Sequence, residues 1–243
     1  MEAVKTSPIK KMTFDKSGYF FIALLILAFL GFWQSYFSKF VTGINDTSFY
    51  FHFHAVMMVL WVSLLIIQPI LVRNKKLHLH KRLGKLSYIL MPVMLLSVLL
   101  ILHSALNAVP PDKISFDMML FPFRDFWLLI IAFVIAIRYR QNVQIHARAM
   151  IITGLVFIEP ALFRFFNHMI FKDMGPVAAF AAMFLILSLL TTLVVLERKQ
   201  KSGRWLFPSF LVIDIIVYSI LIFEIPLTFL DPVARWFAAL PLT

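Results

Sequence analysis

Seven histidines are the chain's main candidates for metal, haem or proton chemistry. Cysteine is absent, so disulfides, thiolate metal sites and iron–sulfur clusters are excluded. His80 lies in the segment LHLHKRLGKL and His146 in QIHARAM. Each segment begins a long apolar run, and both runs are predicted to start on the same side of the membrane. Imidazole is a common axial haem ligand, so this pair could hold haem, although both residues are near the membrane edge. The alternative is a charged interface only, where Lys and Arg side chains extend toward water.

A second group of histidines is predicted at the opposite ends of the apolar runs. His54, Trp61 and Gln68 recur every seven residues, which places them on one slowly drifting face of a helix. His103 and His168 lie at a similar predicted depth to His54. This group predicts haem ligation by His54 with His103, or zinc held by His54, His103 and His168. No HExxH motif is present to fix two metal ligands on one helix.

Charged residues inside apolar runs are the third candidate group. They are Glu159, Arg164, Asp214 and Glu224. Each charge near the bilayer centre costs at least ~2.5 kcal/mol, so such groups persist when they are paired, protonated or lining a polar cavity. An Arg164 salt bridge to Glu159 or Glu224 would only join helices, whereas a polar cavity would be functional. Pro160 favours the cavity, because proline frees a backbone carbonyl.

The elements that position these residues are predicted to be membrane-spanning helices. The chain has 243 residues, 61% hydrophobic and 14% charged, with a mean hydropathy of +0.89. A soluble domain carries roughly a quarter of charged residues. Seven apolar runs of about 20 residues or more predict an all-α bundle in a single domain, residues 1–243. The predicted spans are 18–40, 50–72, 84–106, 118–138, 147–170, 176–197 and 206–230.

The distribution of Lys and Arg predicts the orientation of these spans. Most basic residues fall at the N-terminus and in the loops after the second, fourth and sixth runs, which places the N-terminus in the cytoplasm and the C-terminus outside. The first run is expected to remain as a membrane helix, because it is longer than a signal-peptide core. The formal charge of +11 is then a topology signal and an anchor for anionic lipid, so nucleic acid is not a predicted partner.

The motifs resemble a family of multi-helix membrane proteins known only as a domain of unknown function. Its pattern is a helix opening with His, then HR-x-x-G, then H-x-x-x-M with Arg eighteen residues past that His. The matching residues, within about 50–170, are His54, His80, Gly84, His146, Met150 and Arg164. The chain departs in HKRLG, which has Lys directly after the His, and in HARAMI, which lacks an aromatic residue before the Met. The resemblance indicates which residues matter without naming a reaction. The arrangement is also similar to that of transmembrane b-type cytochromes.

The preferred function from sequence is a haem- or quinone-linked redox protein of a membrane, expected to be the bacterial inner membrane. The ligands would be His54 with His103, or His80 with His146, and Arg164 would neutralise a haem propionate or a quinone oxygen.

Three alternatives remain open. The first is a proton-coupled transporter lined by the intramembrane acids and Arg164. The second is a zinc-dependent membrane hydrolase, and the third is an accessory subunit of a membrane complex.

Overall fold

The chain folds into a bundle of helices, here described from a computed structural model for residues 14, 16–44 and 46–243. No strand occurs in these residues. The helices are α1 (Ser17–Gly31), α2 (Ser38–Thr42), α3 (Phe49–Arg73), α4 (Leu77–Gly84), α5 (Ser87–Asn107), α6 (Leu120–Arg138), α7 (Val143–Leu155), α8 (Ile158–Phe165), α9 (Gly175–Glu197), α10 (Leu206–Ile222) and α11 (Asp231–Ala238). A π-helical turn, Trp33–Phe37, joins α1 to α2, and another, Phe166–Ile170, follows α8. The predicted all-α class is confirmed.

Within the described residues, five helical segments are long and apolar enough to cross a membrane. They are Phe49–Arg73, Ser87–Asn107, Phe116–Arg138, Val143–Ile170 and Gly175–Glu197. The segments Ser17–Gly31 and Trp33–Thr42 form a sixth span if they are counted together, with a bend of 55° between them. The chain is therefore an integral membrane protein. The predicted seventh span corresponds to α10, whose 17 residues rise only about 26 Å against a hydrocarbon core of about 30 Å.

The fifth span is broken where its sequence requires a break. Helix α7 ends at Leu155 and α8 begins at Ile158. Pro160 has no N–H to donate to the carbonyl four residues earlier, and its ring crowds that turn. The break leaves α8 as a short helix of its own, which carries both Glu159 and Arg164.

Close packing of α8 on the first span depends on a glycine. A side-chain carbon at Gly31 would collide with the Ala161 carbonyl oxygen. The end of α1 can approach α8 because Gly31 has no such atom, and the bend of the first span follows directly after it.

The core lies where α3, α6, α7 and α10 meet. Trp61 is completely buried there, and its indole N–H donates to the Thr153 hydroxyl at 3.3 Å. Leu129 and Phe207 pack in the same buried cluster. Trp61, the middle residue of the seven-residue repeat on α3, is therefore a packing residue with one interhelical hydrogen bond.

Glu224 lies outside the helix that was predicted to contain it. Helix α10 ends at Ile222, and Glu224 is exposed with a left-handed φ of 48°. Pro226 follows two residues later and cannot continue a helix. The expectation of an intramembrane charge at Glu224 is thus corrected: this carboxylate is at the end of the bundle.

Candidate functional site: a buried charge cluster and its neighbours

Arg124 is the centre of a buried charge cluster on the side of the bundle where α6 begins. Its side chain binds Asp125 from Nε at 2.9 Å and from Nη2 at 2.7 Å. Nη2 also donates to Glu159 on α8. Nη1 lies 3.3 Å from Asp214 Oδ1 on α10, an ion pair without hydrogen-bond geometry. We call Arg124, Asp125, Glu159 and Asp214 the Arg124 cluster; it joins three helices through one guanidinium.

The Arg124 cluster is largely buried and has more acids than bases. Arg124 is 8% exposed and Asp214 is 1% exposed, while the side chains of Asp125 and Glu159 are 19% and 13% exposed. The guanidinium also faces the rings of Phe121 and Tyr218, at 5.1 and 5.8 Å from their centres. One cation cannot balance three carboxylates, and an unbalanced buried charge is strongly unfavourable. Protons are the simplest counter-charge, so the cluster has the composition of a proton-binding site.

The sequence pointed to Glu159 and Asp214 but missed Arg124 and Asp125. Both fall inside the predicted span 118–138 and lie within α6, which begins at Leu120, but they were not among the predicted intramembrane charges. The missed signal is an Arg–Asp pair inside a predicted span, since such charges are rare there unless they are paired.

Arg164 does not pair with Glu159 or Glu224. It donates from Nη1 to the Pro160 carbonyl of its own helix at 3.1 Å, and its guanidinium carbon lies 4.5 Å from the centre of the Phe32 ring. Five residues of helix turn the chain through about 500°, so Arg164 and Glu159 point about 140° apart. They therefore face different neighbours: Glu159 faces α6, and Arg164 faces the bend of the first span.

His80 and His146 are brought together, as the sequence predicted. Their ring centres are 6.4 Å apart and the rings are nearly perpendicular. His146 Nδ1 lies 2.9 Å from the Ala136 carbonyl oxygen and so donates to it. The Gln68 amide, in the orientation that satisfies both of its ends, donates to His80 Nδ1 and accepts from the Gly84 N–H at 3.0 Å. The third residue of the predicted stripe on α3 thus holds α4 in place.

These hydrogen bonds bear on whether the pair fits a haem iron. His146 donates from Nδ1, which leaves a lone pair on Nε2, the arrangement typical of a metal ligand. Neutral His80 accepts at Nδ1, so its proton is on Nε2, where iron would need a lone pair. The pair as arranged suits a shared proton better than two iron–nitrogen bonds. Burial lowers the pKa of His80, and the charges of His146 and Lys81 lower it further.

The other predicted metal residues are separated from one another. His54 Nδ1 bonds the Ser97 hydroxyl at 3.1 Å, whereas His103 is fully buried, bonds Thr243 at 2.7 Å and packs on Phe237. His168 pairs with Asp173 at 2.8 Å near the surface. In the described part of the chain, no group of three or more His, Asp or Glu residues could hold a metal ion. The zinc site predicted from His54, His103 and His168 is therefore not assembled.

A second buried ion pair, also missed from sequence, lies near the basic end of the bundle. Arg148 on α7 donates from Nε to Glu197 at the end of α9, and these residues are 0% and 1% exposed. Arg148 Nη1 also donates to the Gln144 carbonyl and side-chain oxygens, at 2.8 and 3.0 Å. Its charge is paired with that of Glu197, one cation with one anion, so we assign the pair to packing of α7 against α9.

Comparison with protein-family models, curated proteins and solved structures gives no significant match. The resemblance to the family of unknown function stays a prediction, and the chain's function has to be inferred from its own geometry.

Proposed function

We propose that the protein is a proton-coupled transporter whose proton-binding site is the Arg124 cluster. The observation that supports this is a single buried guanidinium facing three carboxylates on α6, α8 and α10. When a cluster of this composition takes up or releases a proton, the attraction between the helices that carry it changes.

The proposed coupling follows from where the acids lie. When Glu159 is ionised, it holds α8 to Arg124 by a charge-assisted hydrogen bond, which is roughly twice as strong as a neutral one. When Glu159 takes a proton, that attraction falls. Helix α8 is short and is separated from α7 by residues 156–157, so we expect it to move independently of α7. Proton binding would thus change the position of α8, and Arg164 would move with it.

The experiment that tests this proposal is a proton-uptake measurement on proteoliposomes with a pH-sensitive dye trapped inside, because symport of one proton with one carboxylate moves no net charge and gives no current. Small organic acids, amines and neutral amino acids would be offered one at a time. We expect one class of solute to accelerate proton uptake, with loss of this effect in Glu159→Gln and its retention in Glu224→Gln, the exposed carboxylate. Equal proton uptake in wild type and Glu159→Gln would contradict the role of the cluster.

The membrane arrangement that goes with this function has seven spans, with α10 as the seventh, and a cytoplasmic N-terminus. The basic loops between α3 and α5, α6 and α7, and α9 and α10 would then face anionic lipid on the cytoplasmic side of a bacterial inner membrane. Because the chain has no cysteine, single cysteines can test this directly. A membrane-impermeant maleimide added to intact cells should label Lys113→Cys, and should label Lys75→Cys only after permeabilisation.

A redox function is the second candidate, favoured by the 6.4 Å approach of His80 and His146. It would use quinone, or haem b held through the Nε2 lone pair of His146 alone, and the protein would act by itself or as a subunit of a membrane complex. The test is an absorption spectrum of the purified protein, oxidised and then reduced with dithionite. A Soret band that shifts on reduction and is lost in His146→Ala would favour this function over the transporter.

A further inference from the structure

Arg164 is a cation without an anion. Among the described residues, no carboxylate lies within 4.0 Å of its guanidinium. A guanidinium has five N–H donors, and in the same residues the structure pairs only Nη1, with the Pro160 carbonyl of its own helix. The Phe32 ring lies against it at 4.5 Å. These contacts orient the group and leave its charge uncompensated, in contrast to Arg124 and Arg148.

His54 is a polar residue on the part of α3 that faces this region. It follows Phe51 by three residues, and the Phe51 ring centre lies 6.4 Å from that of the Phe32 ring against which Arg164 packs. Ser97 donates its hydroxyl to the Met94 carbonyl at 2.6 Å, so the same hydroxyl accepts from His54 Nδ1 at 3.1 Å. These bonds fix the imidazole with its proton on Nδ1 and a lone pair on Nε2, so neutral His54 can accept a hydrogen bond from a ligand but cannot donate one to an anion.

The region around Arg164 and Phe32 lies where the first span is irregular. Phe32 follows the end of α1 and precedes the π-helical turn Trp33–Phe37, where the first span bends by 55°. Short π-helical segments inside helices are frequently found at functional sites. Arg164 is contributed by α8, the helix freed by the Pro160 break. The irregular part of the first span therefore meets α3 and α8 at the unpaired guanidinium of Arg164.

We propose that Arg164 binds an oxyanion: the carboxylate of a small organic acid or the phosphate of a lipid headgroup. A planar guanidinium can grip either group through two parallel hydrogen bonds, which a lysine ammonium does not reproduce. The Phe32 ring gives the site an apolar wall that suits an organic acid. For a carboxylate, this deepens the proposed function by naming the solute class, and in that respect it rests on it.

Binding and transport can be measured separately. Benzoate, its neutral isostere benzamide, and dihexanoyl phosphatidic acid would each be titrated calorimetrically into delipidated protein in a neutral detergent. We expect benzoate to bind wild type and benzamide not to bind. In Arg164→Gln the benzoate Kd should rise at least tenfold, and Arg164→Lys should be intermediate. Arg235→Gln, an exposed arginine on the same side of the bundle, should match wild type.

The two sources of oxyanion give different results. Binding of phosphatidic acid without benzoate, lost in Arg164→Gln, supports the oxyanion site and assigns it to lipid. Unchanged affinities in Arg164→Gln, or no binding of either probe to wild type, would overturn the site. Arg164-dependent benzoate binding in a protein that shows no solute-dependent proton uptake would leave the site standing and overturn only the transporter function.

Discussion

Glu159 and Arg164 lie on the same eight-residue helix, but Glu159 binds Arg124 while Arg164 has no carboxylate partner in the part of the chain that the structure describes. The helix thus carries one residue of the Arg124 cluster on one face and one unpaired cation on another. Any movement of α8 shifts both, which links a proton site to an anion site without a further element.

Removing Arg124 should destabilise the protein more than removing any one of its acids. Arg124→Gln leaves three carboxylates without a cation, and breaking one side of a buried ion pair costs about 3–5 kcal/mol. Thermal unfolding in detergent should show a large drop in Tm for Arg124→Gln. The double variant Arg124→Gln/Asp214→Asn should recover part of the loss, and the same Tm in single and double variants would argue against electrostatic coupling.

Arg148 and Glu197 should behave as a structural pair. Arg148→Met alone buries an unpaired carboxylate and should lower the free energy of unfolding by about 3–5 kcal/mol, whereas Arg148→Met/Glu197→Met should be close to wild type. Unfolding of the purified variants in denaturant measures this. Solute-dependent proton uptake should survive in the double variant, and its loss there would mean that the pair takes part in function.

The fold itself was more predictable from the sequence than the site. The apolar runs place the ends of the five spans from Phe49–Arg73 to Gly175–Glu197 to within about four residues, because the bilayer sets their length. The seventh run was predicted to reach residue 230, whereas α10 ends at Ile222. The meeting of His80 and His146 was also predictable, since both begin helices on one side of the membrane. The Arg124–Glu159 bond was not, because it depends on how α6 and α8 rotate about their axes, which no local pattern records.

The failed zinc prediction has a related cause. His54 and His103 were matched by depth, but His54 bonds Ser97, which lies six residues and about 9 Å of helix before His103. Equal predicted depth is therefore too coarse a guide to contact. Glu224 was misplaced because hydrophobic residues continue past the end of α10, and hydropathy alone does not detect a helix end.

Protonation of His80 should destabilise the protein. Burial lowers its pKa below the usual value near 6.5, so the unfolded chain binds a proton at a higher pH than the folded protein does. The stability that comes from neutral His80 is present above pH 6.5 and is lost as the pH falls from there toward the lowered pKa.

A matched pair of variants on α4 checks this. The fall in Tm between pH 7.5 and pH 5 should be smaller in His80→Gln than in wild type. His78→Gln, which changes an exposed histidine on the same helix, should keep the full wild-type fall. An identical pH response in all three proteins would contradict the assignment to His80.

Close approach of the first span to α8 should depend on Gly31. A methyl group there would meet the Ala161 carbonyl oxygen, and overpacking of this kind typically costs about 1–3 kcal/mol. Gly31→Ala should lower the Tm, while Gly84→Ala, where the nearest atom belongs to the Gln68 amide at 3.8 Å, should not. The comparison of the two Tm values is the measurement, and equal values would show that the helices can separate freely.

The central claim, that the Arg124 cluster binds protons, is tested most directly by infrared spectroscopy of the carboxyl groups. The protein would be titrated in detergent and the C=O stretch of protonated carboxylic acid followed in wild type, Glu159→Gln, Asp214→Asn and Glu224→Gln. We predict a protonated-acid band at neutral pH that weakens in Glu159→Gln or Asp214→Asn and is unchanged in Glu224→Gln. A band that is absent from wild type, or equally strong in all four proteins, would contradict the account.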